Sequence, residues 1–102
     1  MNLFTIPKRS KDEIFEIITK TPNLKVERIV SYGQTTPHNQ PYLQSNNELV
    51  FVLQGQAQII MHDMTYQLNT GDSLLIPQNT KHWVSYTSNN PPVIWLAIHF
   101  VG

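Results

Sequence analysis

Apolar positions along the chain recur first at helical spacing and then at strand spacing. Ile14, Ile17 and Ile18 fall at i, i+3 and i+4, the stripe of one helix face. Ser10 and Glu13 precede them as an S-x-x-E capping box. Asp12 and Glu13 also suit the positive end of a helix. "TPN" at 21–23 then breaks the pattern. One short N-terminal helix is predicted over about 11–20.

From residue 25 onward the pattern changes. "KVERIVSY" sets Val26, Arg28 and Val30 against Glu27, Ile29 and Ser31. "ELVFVL", "AQIIM", "TYQL", "SLLIP", "HWVSYT" and "VIWLAIHFV" follow, separated by the turn signals "QGQ", "HD", "NTGD" and "SNNPP". Short strands at roughly 8–12-residue spacing argue for an all-β sandwich or barrel. "GQTTPHNQPYLQSNN" is a long connection with two prolines, and structureless loops of that length are uncommon in small domains, so it is a functional candidate. The expectation is a single domain over 1–102, with the helix at about 11–20 and the barrel over about 25–102.

Composition narrows the classes. With 102 residues and 40% hydrophobic content, the chain has material for one core. No run approaches the roughly 18 apolar residues of a membrane span. "MNLFTIPKRSKDE" becomes charged too early for a secretory signal, so a cytoplasmic location is expected. There is no cysteine, which excludes disulfides and thiolate metal sites. Formal net charge is zero without a basic stripe, so neither nucleic acid nor membrane is an expected partner. Six of the seven Lys and Arg lie in residues 1–28, and beyond them the polarity comes from Asn and Gln. So weakly charged a surface gives little protection against self-association, and a homodimer is expected.

Residues 29–102 hold four formal charges: Glu48, Asp63, Asp72 and Lys81. Glu48 heads the most apolar strand, and a buried carboxylate must find a partner or take up a proton. His82 opens "HWVSYT", where alternation puts it on one face with Val84 and Tyr86. His99 lies in "VIWLAIHFV", on the face of Trp95 and Ala97, and there needs a hydrogen-bond partner. His38 is in the long loop and His62 in a turn. No phosphate-binding glycine loop, Ser/His/Asp arrangement or H-E-x-x-H helix is present.

The spacing of turns and charges resembles the cupin family. Glu48, six residues and Gly55 match the second half of its first motif. Gly71, five residues, Pro77, x, Asn79, two residues, His82, three residues and Tyr86 follow its second motif, with Asn79 in place of glycine. "ERIVSYGQTTP" and "WLAIH" are similar to a subgroup of small single-domain bacterial cupins. The resemblance implies a double-stranded jelly-roll barrel with its ligand inside. It also implies a metal set of two histidines and a glutamate from the first motif and one histidine from the second. The first motif is degenerate here: Tyr42 and Gln44 stand where the histidines would be, leaving Glu48 and His82 as the matching ligands.

Several readings follow. One is a small-molecule pocket with a divalent ion (Mn, Fe, Ni or Zn) on Glu48, His82 and Gln44, supporting oxygenase or isomerase chemistry. Another is a metal-free binding or sensing module. A third is a metal-independent acid–base enzyme that works through Glu48, His82 and Tyr42 or Tyr86. His99 and Tyr86 are candidates for the pocket wall in each.

Overall fold

The computed structural model describes residues 1–102 as eight strands. They are β1 (Ile14–Thr21), β2 (Leu24–Ser31), β3 (Asn47–Gln54), β4 (Ala57–Met61), β5 (Met64–Leu68), β6 (Ser73–Ile76), β7 (His82–Thr87) and β8 (Val93–Phe100). One antiparallel sheet has the order β1-β2-β8-β3-β6, the other β5-β4-β7. The expected jelly-roll arrangement of two packed sheets is present. Between the sheets lie side chains such as Val52, Ala57, Ile59, Leu68, Val93 and Trp95, all buried. They come from alternate positions of their strands, as sheets with one buried face require.

The N-terminal helix expected over 11–20 is absent, and β1 occupies its place. Six of the eight residues of β1 are β-branched or aromatic, which favours a pleated strand over a helix. The register against β2 slips between Ile17 and Thr19, so Ile18 is an extra, bulged residue. Ile14 pairs with Val30 on the outer face, while Ile17 pairs with Glu27 on the inner one. The helical spacing of the three isoleucines is therefore that of a bulged strand. Ser10 closes a local turn with Asp12 instead of capping a helix. Glu16 pairs with Arg28, whose guanidinium also donates to the Asn2, Leu3 and Thr5 carbonyls. Arg28 thereby ties the N-terminal segment across the outer face of β2.

Turn chemistry sets the strand order. His62 and Asp63 both have positive φ, 53° and 60°, the two-residue hairpin geometry that suits strand twist. Asn79 sits at φ 57°, the left-handed conformation that asparagine tolerates in place of glycine. Gly55 has φ 84°, and a Cβ there would lie 2.7 Å from the Ser88 hydroxyl, so only glycine fits this crossing between sheets.

The long connection between β2 and β3 is anchored to β7. Thr36 N–H donates to the Val84 carbonyl at 2.8 Å, and Tyr42 and His82 exchange both backbone bonds at 2.9 and 3.0 Å. Further along, Asn79 N–H donates to the Gln44 carbonyl at 2.7 Å. The loop thus covers the open edge of the smaller sheet, where unpaired strand edges are a liability. It also delivers Tyr42 and Gln44 to one end of the barrel.

Candidate functional site

Strand register builds one polar cluster inside the barrel. Glu48 on β3 lies opposite His99 on β8 and Ile76 on β6. Glu27 on β2 lies opposite Ala97, a diagonal neighbour of His99 on the same inner face. From the facing sheet, His82 begins β7 opposite Met61. All four ionisable side chains are buried.

Hydrogen bonds fix their roles. His99 Nε2–H donates to Glu27 Oε1 at 2.9 Å, and the same nitrogen is 3.8 Å from Glu48 Oε2. The His99 hydrogen bond holds the Glu27 carboxyl below its ordinary value; burial opposes this, and the charges of Lys25 and His99 add to it. Gln44 Nε2 donates to Glu48 Oε1 at 2.7 Å. His82 Nδ1 lies 3.0 Å from the Thr80 carbonyl, which can only accept, so Nδ1 carries the proton. Nε2 of His82 makes no hydrogen bond and faces Glu48 Oε1 at 3.8 Å.

Glu48 and His82 lie in a small pocket of about 50 Å³ that opens to solvent. Its apolar wall includes Phe15, Ile29, Val50, Ile59, Val84 and Trp95. Tyr42 stacks on His82, ring centres 5.4 Å apart. Burial raises the Tyr42 phenol above its ordinary value, and the carboxylates of Glu13, Glu48 and Glu27 push the same way. Tyr42 is thus held as a hydrogen-bond donor at neutral pH. Glu13 also lines the pocket. Its Oε2 accepts from the Ser31 hydroxyl at 2.5 Å, and Ser31 Oγ accepts from Trp95 Nε1–H at 3.1 Å.

The sequence candidates divide between this pocket and elsewhere. Glu48, His82 and Tyr42 line it. Gln44 reaches it through Glu48, with its amide N–H₂ turned to the carboxylate. His99 sits behind Glu48, bonded to Glu27. Tyr86, expected on the face of His82, instead lies exposed beside Gly55 and Pro91. A bulge explains the turn: Gln58 pairs with Tyr86 but Ile59 with Val84, so Ser85 is unpaired and the alternation flips. His38 stacks on Trp83 away from the pocket, and His62 is exposed in its hairpin. Two residues went unassigned in the sequence. Glu13 read as a helix cap, and Glu27 as one polar position in an alternating strand. Alternation put Glu27 on the same face as Ile29 and Ser31, which was the available signal.

The donor set is sparse for a metal. Glu48 and His82 offer two donors, and Gln44 turns its donor amide inward. No three His, Asp or Glu side chains converge in a way that could hold an ion. Catalytic metal sites commonly have three protein ligands.

Comparison with known proteins gives consistent results. Residues 28–99 match the Cupin domain family (Cupin_2). No curated protein matches the sequence. A candidate mannose-6-phosphate isomerase from Ralstonia eutropha JMP134 is similar in structure, with a TM-score of 0.95 and 34% identity, covering 100% of this chain and 97% of that one. A cupin superfamily protein from Desulfitobacterium hafniense DCB-2 has a TM-score of 0.80 at 17% identity, covering 95% of this chain and 84% of its own. KdgF from a Halomonas species has a TM-score of 0.73 at 15% identity, over 92% and 86% of the two chains. The last two likenesses speak to fold alone.

Proposed function

The chain belongs to the cupin domain family, and from that premise we propose that its barrel pocket binds a small organic molecule whose polar end meets Glu48 and His82. One observation carries this reading. A buried carboxylate and a buried imidazole nitrogen without a hydrogen bond face each other across 3.8 Å at the polar end of an apolar pocket. Apolar pockets with a few convergent polar groups are the usual form of ligand sites. Glu48 accepts a proton or a hydrogen bond, His82 Nε2 accepts at close range, and Tyr42 stands ready to donate. Such a set also supports metal-independent acid–base chemistry. Ligand titration followed by amide NMR tests the reading. Glu48→Gln and His82→Ala should each weaken binding by about tenfold or more, the scale of one charge-assisted hydrogen bond. Binding unaltered in both would remove the pair from the site.

A divalent ion is the second reading, and one observation favours it. The Thr80 carbonyl fixes the His82 tautomer, which leaves Nε2 free toward Glu48 as metal-bound histidines require. Glu48 and His82 would hold the ion, with water completing its shell. When bound it would act as a Lewis acid. Calorimetric titration with Mn, Fe, Ni and Zn salts decides: absence of stoichiometric binding to the folded protein sinks this reading and leaves the first intact.

The Ralstonia protein's name points to a phosphorylated sugar. The pocket wall contains neither Lys nor Arg to meet a phosphate, so that substrate class does not carry over to this chain. We also propose a homodimer through the outer face of the larger sheet. Leu49, Phe51, Leu75, Leu96 and Ile98 stand on adjacent strands there, with Leu75 half exposed. Light scattering should give twice the chain mass, and Leu75→Lys should shift it toward the monomer.

A further inference from the structure

The pocket is short of hydrogen-bond donors. The Ser31 hydroxyl takes the Trp95 N–H as acceptor, so its own proton goes to Glu13 Oε2. Glu13 is therefore an acceptor there, and its Oε1 makes no hydrogen bond. Glu48 has Oε1 on Gln44, and Oε2 makes no bond at hydrogen-bond distance. His82 has its proton on Nδ1, bonded to Thr80, which leaves Nε2 as a third acceptor. His82 is 4% exposed and opens on the cavity. Against these three acceptors the pocket wall supplies one side-chain donor outside the apolar surface, the Tyr42 hydroxyl. The two carboxylates face no Lys or Arg across the cavity.

We propose that the pocket selects a small organic cation, a primary amine or ammonium carried on an apolar body, with Glu13 as a second anionic group in the pocket wall beside Glu48 and His82. This rests on the reading of the pocket as a ligand site and names the ligand class. An ammonium brings three donors, no acceptor and one positive charge, which complements the acceptor surplus. Phe15, Tyr42 and Trp95 present aromatic surface in the same cavity, and aromatic rings favour cations over neutral isosteres. The Ile29, Val50 and Val84 side chains receive the apolar body. A carboxylate or phosphate ligand would add acceptors to a wall that already offers them.

Three matched probes test the class: 2-phenylethylamine, 2-phenylethanol and phenylacetate, titrated into the wild-type protein with amide NMR as readout. The amine should bind about tenfold tighter than the alcohol, from the charge-assisted contacts and the aromatic wall, and phenylacetate weakest of the three. Glu13→Gln should bring the amine-to-alcohol ratio close to one, and Glu13→Asp should restore part of the preference. Thermal unfolding of each variant separates loss of fold from loss of preference. An alcohol or carboxylate that binds as well as the amine overturns the cation inference and leaves the ligand site standing. Failure of all three to shift pocket amides overturns the site itself. A preference that survives Glu13→Gln overturns the role given to Glu13.

Discussion

The two ends of the barrel interior are built from opposite materials. At one end Ala57, Leu68 and Val93 meet with Val52 nearby, all nearly inaccessible, and no ionisable group among them. At the other end Glu27, Glu48, His82 and His99 are just as buried. The same β-strands run through both. The apolar end stabilises the fold through burial, at roughly 25 cal/mol per Å² of apolar surface. The polar end must first offset the desolvation of its charges, so its hydrogen bonds leave a small net gain. Burial at the two ends therefore serves different ends: one holds the sheets together, and the other holds acceptors in place.

Substitutions can break this contrast. Leu68→Ala at the apolar end should have the largest effect on stability, a loss of about 2–5 kcal/mol from the cavity it leaves. Urea unfolding measures it, and ligand affinity of the folded fraction should stay unchanged. Glu27→Gln comes next, with a loss of about 1–3 kcal/mol as a buried charge-assisted hydrogen bond weakens. This loss should depend on pH. The folded Glu27 carboxyl is held below its ordinary 4.5, so its contribution is present above that pH and drains away as pH falls through the folded value. Wild type and Glu27→Gln should thus converge in urea midpoint on acidification, and a gap that widens in acid would contradict the assignment.

Glu48→Gln should sharpen the contrast from the other side. Gln44 can still donate to the new amide oxygen, so stability should change by less than about 1 kcal/mol while ligand affinity falls. A large stability loss would show that Glu48 is structural. Tyr42→Phe should have the smallest effect, within about 0.5 kcal/mol, because the side chain is partly exposed and its hydroxyl makes no internal hydrogen bond. In a spectrophotometric pH titration, this variant should lack one of the phenols that ionise above the ordinary value of 10.0.

Much of this was legible in the sequence where spacing was regular. The interval from Glu48 to Gly55, and that from Gly71 through Asn79 to His82, mark turns whose backbone φ values the chain adopts. Those turns fix the strand phases, and so Glu48 and His82 reach one pocket. The failures share one cause. A bulge at Ile18 made a strand look helical, and a bulge at Ser85 moved Tyr86 off the face of His82. Bulges are single-residue events that periodicity averages away. Glu13 and Glu27 escaped notice for a different reason: their partners, Ser31 and His99, are 18 and 72 residues distant. Only the folded register brings such pairs together.

The paired backbones of Tyr42 and His82 bear on how a ligand arrives. A loop that opened as a door would have to break both hydrogen bonds, and those to Thr36 and Gln44, at every passage. Held this way, the long connection is a wall, and Tyr42 is a fixed post within it. At the free edge of the larger sheet, β1 carries Phe15, which lines the pocket and is 55% exposed. Glu13, just before β1, lines the same pocket, so this part of its wall carries a carboxylate. The hairpin that the isoleucine spacing disguised as a helix is part of the pocket wall.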